Sequence, residues 1–166
     1  LFSISDGQRC NLIRTRGASY LVGQPSVEIL DPITRILKND PELASKAVYR
    51  LNPVQVEVVK PYLPIIASYT VSQSKVTDIK PADRKEALLE GLKEIILEIA
   101  ADKPTFIFFD EFHYSNLGSR LLLSRVKADH AGNNVALFAG VCDVETVKNK
   151  DRDLIEFFKE NQEKDL

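Results

Sequence analysis

The chain has 166 residues, of which 44% are hydrophobic, and it contains 7 Gly and 8 Pro. This size and composition predict one domain, residues 1–166, with enough apolar material for a core, and exclude a low-complexity or disordered chain. The 22 basic and 24 acidic residues give a net charge of −2. Such a balance offers no electrostatic reason to expect binding to nucleic acid or to anionic lipid.

Cysteine usage and hydropathy indicate the compartment. Cys10 and Cys142 are far apart and too few for a disulfide-stapled secreted domain, so we expect reduced, mostly buried thiols. No apolar run reaches the length of a membrane span, and the first residues do not resemble a signal peptide. We therefore expect a cytoplasmic protein that is not bound to membranes. The sequence contains no Met, even at position 1, which predicts a processed product or a piece of a longer protein.

The first half of the chain combines one predicted strand with a series of short helices. Residues 11–15 predict a strand, and because Arg14 and Arg16 alternate with Ile13 and Thr15 they are interpreted as the polar face of an edge strand. Asp or Asn then precedes Pro three times, a pattern typical of helix starts because the polar side chain caps the first turn and Pro needs no N–H there. The pattern predicts a helical insert at about residues 26–66. Its three starts are Asp31-Pro32, Asp40-Pro41 and Asn52-Pro53.

Helices and strands alternate in the second half of the chain. Residues 70–80 are polar and predict a loop, and apolar residues at helical spacing predict a helix over residues 81–101. The run at residues 105–109 is apolar without alternation, which is typical of a strand covered by helices on both faces. A helix at 115–128, a strand at 135–141 and a helix at 151–160 complete the chain. This order predicts an α/β fold, a three-layer sandwich with a mostly parallel sheet.

One segment carries a pattern with chemical meaning. Residues 106–113 read Phe-Ile-Phe-Phe-Asp-Glu-Phe-His, the layout of a Walker B motif. The apolar run predicts a buried strand, and Asp110 and Glu111 follow at its carboxyl end, where open α/β sheets bind ligands. There an Asp can hold Mg²⁺, and the neighbouring Glu can polarise a water for attack on a terminal phosphate. The sequence thus predicts Asp110 as a metal ligand and Glu111 as the catalytic residue that orients the water.

The surrounding residues resemble a known family. Residues 103–124, with Pro104 before the strand and a Leu-rich helix after it, resemble the Walker B segment of the signal-transduction ATPases with numerous domains, which are AAA-like. His113 stands where that family has a His, Tyr114 replaces its usual Trp, and Asn116 replaces its usual Asp. The resemblance implies a P-loop NTPase-like fold and a catalytic helper role for His113. It also implies ATP and Mg²⁺ as cofactors of the intact parent protein, and other domains of the same chain as partners.

Two departures from that family limit the prediction. The sequence contains no Gly-Lys, so the phosphate-binding loop and its Lys are missing. We expect that the chain begins just after this loop, with residues 1–8 continuing its helix, and that a first strand is absent beside the strand ending at Asp110. Cys142 and Asp143 stand where the family tends to place Arg, so no cation near a terminal phosphate is evident. These 166 residues alone are expected to bind ATP poorly or not at all.

Three other functions fit parts of the sequence. The main alternative is a non-catalytic α/β interaction module, either a degenerate NTPase or an unrelated fold, which works through a surface such as the Pro-rich insert. A metal-dependent nuclease or phosphohydrolase would need further acids beside Asp110 and Glu111, and the available ones are Glu28, Asp78 and Asp143. A metal site could also be imagined from Glu111, His113, His130 and Cys142, but their spacing matches no zinc pattern.

Overall fold

The computed structural model describes residues 10–17, 27–70, 79–129 and 134–140. Helices predominate over strands in this part of the chain. The strands are β1 (Asn11–Arg16), β2 (Thr105–Asp110) and β3 (Val135–Ala139), and the helices are α1 (Val27–Asn39), α2 (Pro41–Arg50), α3 (Pro53–Val59), α4 (Pro81–Asp102) and α5 (Leu117–Ala128). Two 3₁₀ segments occupy Pro64–Tyr69 and Phe112–Tyr114. The helix predicted at 151–160 and most of the loop predicted at 70–80 lie outside the described residues.

The three strands form one parallel sheet in the order β1-β2-β3. Asn11 pairs with Thr105, which in turn pairs with Val135. The prediction of an α/β fold with a parallel sheet is confirmed at this level. The prediction of an absent strand beside the one ending at Asp110 is wrong, because both edges of β2 are already hydrogen-bonded. A further strand can join only at the outer edge of β1 or β3.

One face of the sheet packs against helices. Asn11 donates a side-chain hydrogen bond to the carbonyl of Ile99 in α4 at 3.0 Å, and α1 contacts β1. Every second residue of β1 and β2 is buried on this face: Ile13, Thr15, Thr105, Ile107 and Phe109. This face and the helices above it form the main core.

The opposite face is apolar but uncovered in the part of the chain that the structure describes. Phe106 and Phe108 are 37% and 38% exposed, and Leu12 and Phe138 are 57% and 51% exposed. The described residues therefore form two layers, and helices on both faces of β2 stay a prediction. An apolar run reports that both faces are hydrophobic, but it does not say which segment covers each of them.

Two of the three predicted helix starts are confirmed. Asp40 caps α2 by accepting the N–H of Leu43 at 3.0 Å. Asn52 and Gln55 form a capping box at the start of α3, each side chain accepting the other's backbone N–H at 2.9 Å. The predicted insert at about 26–66 corresponds to α1, α2, α3 and the 3₁₀ segment that follows them.

The third predicted start, Asp31-Pro32, is wrong because Pro32 lies inside α1. A Pro in a helix has no N–H to offer the carbonyl four residues earlier, which here belongs to Glu28. That carbonyl accepts a hydrogen bond from the Thr15 hydroxyl of β1 instead. The helix therefore tolerates its Pro because the neighbouring strand replaces the missing donor.

Helix α4 is the central helix of the described part. Its predicted apolar stripe is confirmed, since Leu88, Leu92, Ile95 and Ile99 are all buried. Arg50 of α2 pairs with Glu98 at 2.5 Å, which joins the insert to α4. Among the described residues, no helix combines the length and the apolar character that crossing a membrane requires.

Candidate functional site

The two acids predicted as the site lie at the carboxyl end of the central strand. Asp110 ends β2, and Glu111 follows it with φ 50° and ψ 42°, in the left-handed region. This conformation costs a residue with a side chain roughly 1–2 kcal/mol. Two hydrogen bonds of 2.9 Å hold the turn, one from the Glu111 N–H to Asp110 Oδ1 and one from the Tyr114 N–H to the Glu111 carbonyl. The two neighbouring carboxyl groups therefore have different partners: that of Asp110 accepts the Glu111 N–H, and that of Glu111 binds Arg16.

Arg16 binds the Glu111 carboxylate through two hydrogen bonds. Its Nε lies 2.7 Å from one carboxylate oxygen and its NH2 nitrogen lies 2.5 Å from the other. Arg16 ends β1 and is in register with Asp110. The hydrogen bonds from Arg16, with its positive charge, hold the pKa of Glu111 below its ordinary value, and burial opposes them only in part. Glu111 is therefore a carboxylate at neutral pH.

Sequence reasoning placed Arg16 correctly on an exposed face but missed its role. The sequence showed no cation near the predicted site, whereas the structure brings Arg16 to Glu111 from a strand 95 residues earlier in the chain. The available signal was weak: a cationic residue ending one parallel strand can face acids that end the next. Using it requires the register between β1 and β2, which the sequence does not contain.

Glycine at position 17 allows the turns after β1 and β2 to touch backbone to backbone. The Gly17 N–H donates to the Asp110 carbonyl at 2.9 Å. A Cβ placed on Gly17 would lie 2.3 Å from the Glu111 carbonyl oxygen and 2.9 Å from the Ser115 nitrogen. Real Cβ atoms do not approach backbone atoms this closely, so the observed packing requires Gly17.

Asp110 lies beside the backbone that follows β3. Gly140 donates its N–H to the Phe109 carbonyl at 2.8 Å, and its own carbonyl accepts the N–H of Phe112 at 2.9 Å. A Cβ on Gly140 would lie 3.5 Å from Asp110 Oδ1, an ordinary contact. Asp110 thus sits between β3 and the turn, with one carboxylate oxygen accepting the Glu111 N–H. A carboxylate has about four acceptor positions, so Asp110 retains capacity for a hydrated Mg²⁺, which proteins bind through one or two carboxylates.

His113 lies on the 3₁₀ segment directly after the two acids. Its ring centroid is 4.1 Å from that of Tyr114, and its backbone carbonyl accepts a hydrogen bond from Arg120 at 3.2 Å. Its side chain is half-buried. The structure thus places His113 on the same turn as the acids, which is where the sequence predicted it.

Glu28 occupies a different position from the one a nuclease would require. Its carboxylate accepts hydrogen bonds from Asn116 Nδ2 at 2.9 Å and from the Ser119 hydroxyl at 2.7 Å. Asn116 in turn caps α5 by accepting the Ser119 N–H at 2.9 Å. Glu28 therefore joins α1 to the start of α5, and the other two acids considered for a nuclease, Asp78 and Asp143, lie outside the described residues.

Neither metal clusters nor known relatives add to this site. Among the described residues, no group of three or more His, Cys, Asp or Glu is placed to hold a metal ion. His130 and Cys142 lie outside those residues, and Cys10 is a free, half-buried thiol. Comparisons with protein-family models, with curated proteins and with solved structures found no match to this chain. The interpretation of the site therefore depends on the residues at this edge of the sheet.

Proposed function

We propose that the chain is part of the ATP-binding and ATP-hydrolysing core of a regulatory, AAA-like ATPase of the P-loop type. Its complete fold would be a three-layer sandwich, to which the described residues contribute the sheet and one helical layer. The observation that supports this most is the pair of acids at the carboxyl end of the central parallel strand, with Glu111 held by Arg16 in a left-handed turn. Ligands of open α/β sheets bind at this edge.

Asp110 is the metal ligand in this proposal. A bound Mg²⁺ would neutralise charge on the phosphate oxygens of ATP. Asp110 suits this role because it lies at the sheet edge with one oxygen fixed by the Glu111 N–H. That hydrogen bond orients the carboxylate before any ion arrives.

Glu111 is the water-orienting residue, and Arg16 positions it. Because its pKa is lowered, Glu111 is in the acceptor form that holding a water requires. Each carboxylate oxygen has a second lone pair beyond the one that Arg16 uses. Arg16 therefore fixes the carboxylate without exhausting it, and it also supplies a cation at this edge. His113, two residues further along the same turn, is the proposed helper of these acids.

The proposal requires a phosphate-binding loop from outside these 166 residues, because the sequence contains no Gly-Lys. A strand carrying that loop would join at the outer edge of β1 or β3, since both edges of β2 are paired. These residues alone should then show no micromolar ATP binding by calorimetry.

The test compares this chain with the same chain extended by the residues encoded upstream of it. We expect Mg²⁺-dependent ATP hydrolysis by the extended chain only. Glu111→Gln should abolish hydrolysis while ATP still binds, and Asp110→Asn should weaken Mg²⁺-dependent binding. Glu42→Gln, a surface change on α2, is the matched control. An extended chain without ATPase activity, or one unaffected by Glu111→Gln, would refute the proposal.

The alternative is a non-catalytic interaction module. Arg16 engages both oxygens of Glu111, and such a bidentate pair is also typical of a purely structural ion pair. In that case Glu111→Gln would change stability and leave any activity of the extended chain unchanged. The same experiment therefore separates the two functions.

A further inference from the structure

The uncovered face of the sheet carries a continuous apolar patch, which we call the open face. It consists of Leu12 on β1, Phe106 and Phe108 on β2, and Phe138 on β3. The strand register places Leu12 beside Phe106 and Phe108 beside Phe138. The rings of Phe106 and Phe138 stack with centroids 6.3 Å apart. The patch therefore crosses all three strands without interruption.

Parallel sheets are normally covered on both faces. The helices of the described residues cover only one, so the open face calls for an apolar segment that those helices do not supply. β3, an edge strand of the open face, leads into Gly140, after which residues 141–166 follow. The sequence predicts one amphipathic helix in that stretch, at 151–160.

We propose that the open face binds residues 151–160 of the same chain. Four large apolar residues of that segment fall on one side of a helix: Leu154, Ile155, Phe157 and Phe158. A ten-residue helix is roughly 15 Å long. Three strands of five or six residues present a face of roughly 14 by 17 Å. One such helix therefore matches the open face in size.

Chain length and charge also support this occupant. The ten residues 141–150 can span up to roughly 33 Å, enough to return from the end of β3 over the face. Arg14 and Arg16 of β1 lie on the same side as Leu12, and the Arg14 guanidinium lies 6.0 Å from the centre of the Phe108 ring. In the predicted helix Asp151 stands three and four residues before Leu154 and Ile155, which places it on the apolar side, and its charge is complementary to that of Arg14.

The segment that precedes β1 fits less well. Residues 1–9 contain only Leu1, Phe2 and Ile4 as large apolar side chains, and Cys10 alone separates them from β1. A second copy of the chain or another protein would also bury the face, and the experiment below detects both. Docking needs the open face and the predicted helix at 151–160 but neither Asp110 nor Glu111, so it stands or fails separately from the proposed ATPase function.

The experiment uses the absence of Trp from the sequence. Phe157→Trp in the full chain introduces one fluorophore on the apolar side of the predicted helix, within the proposed contact. We expect blue-shifted emission, which Phe108→Asp on the open face shifts to the red. Tyr49→Asp on α2, at a position 87% exposed, is the control and should leave the emission unchanged. Phe138→Ser provides the same test if the Phe108 variant fails to fold by circular dichroism.

A second measurement separates contact within the chain from contact between chains. Urea midpoints are compared for Phe108→Ala, Phe157→Ala and the double variant, and sedimentation is run over a range of concentrations. If the docking occurs within the chain, the protein stays monomeric at all concentrations. The urea midpoint then falls less in the double variant than the sum of the two single decreases. Red-shifted emission from the Phe157→Trp chain without further changes, additive losses, or coupling that appears only in a dimer would overturn the proposal.

Discussion

The α-carbon of Gly17 lies directly against the carbonyl oxygen of Glu111, so that a Cβ at position 17 would stand 2.3 Å from that oxygen. The contact joins the ends of two neighbouring parallel strands, β1 and β2. It fixes the end of β1 relative to the end of β2, and therefore the position at which Arg16, one residue before Gly17, meets the Glu111 carboxylate. The geometry of the candidate site therefore depends on a residue without a side chain.

Replacing this glycine should be costly. We expect Gly17→Ala to reduce the free energy of unfolding by about 1–3 kcal/mol, because backbone atoms must move to admit the methyl group. Gly140→Ala is the control, since its Cβ would meet Asp110 Oδ1 at an ordinary 3.5 Å. Urea unfolding measures both. Equal losses in the two variants would contradict the packing described for Gly17.

Arg16→Gln should raise the pKa of Glu111 toward its ordinary value of 4.5, since Arg16 is the main cause of its lowering. A lowered pKa in the folded chain means that the pair stabilises the fold above pH 4.5 and that this stabilisation is lost as pH falls through the lowered value. Carboxyl ¹³C NMR measures the pKa directly. Arg14→Gln, two residues earlier on the same strand, should not move it. If both variants shift the pKa alike, the specific pairing with Arg16 is wrong.

Lys93 contributes stability with the opposite pH dependence. It is nearly buried, with Nζ 2.6 Å from Asp129 and 2.7 Å from Glu90. Burial alone would lower its pKa, but the hydrogen bonds to Asp129 and Glu90 outweigh it and raise the pKa above the ordinary 10.5. The stabilisation is therefore present below pH 10.5 and is lost as pH rises through the higher folded value.

Lys93→Met should accordingly lower the free energy of unfolding at pH 7 by about 1–3 kcal/mol, the range for charged hydrogen bonds. The difference from the parent chain should shrink in strongly alkaline solution. Lys46→Met removes an exposed pair with Glu42 and should change stability by less than about 0.5 kcal/mol. Urea unfolding at pH 7 and in strongly alkaline solution measures both variants. Similar losses in the free energy of unfolding at pH 7 would refute the role assigned to Lys93.

Gly91 sets the distance between α4 and α3. A Cβ there would lie 2.8 Å from Val59 Cγ2 and 3.3 Å from Gln55 Cβ. Gly91→Ala gains up to about 1 kcal/mol in helix propensity, but we expect the clash with Val59 to make it destabilising overall. In a Val59→Ala background the same change should no longer destabilise. Thermal unfolding of the four chains tests this, and an unchanged penalty in that background would exclude Val59 as the obstacle.

Local signals in the sequence predicted the caps and the ends of strands well. Asp40 and Asn52 cap their helices as predicted, because a cap needs only residues within one turn of it. Asp31-Pro32 failed as a helix start because Thr15, well before it in the chain, supplies the hydrogen bond that Pro32 cannot. A local pattern contains no information about such a distant donor.

At the candidate site, too, the sequence predicted the features that depend on neighbouring residues and missed those that depend on distant ones. The position of Asp110 and Glu111 at the carboxyl end of a strand follows from the apolar run before them, and it is confirmed. The left-handed backbone of Glu111 was not predictable, since the residue type does not favour it. Arg16 was missed because pairing it with Glu111 requires knowing how two distant strands align.

The strand order also has a consequence for folding kinetics. Asn11 and Thr105, which start the pairing of β1 with β2, are 94 residues apart in the chain, whereas β2 and β3 are separated by one 3₁₀ segment and α5. Closing so long a loop is entropically costly, so we expect β1 to join the sheet late, after the intervening helices have shortened the gap. Arg16 and Gly17 arrive with it. Before that step an intermediate would present both acids with neither their cation nor their glycine partner, and the candidate site would be completed only as the chain finishes folding.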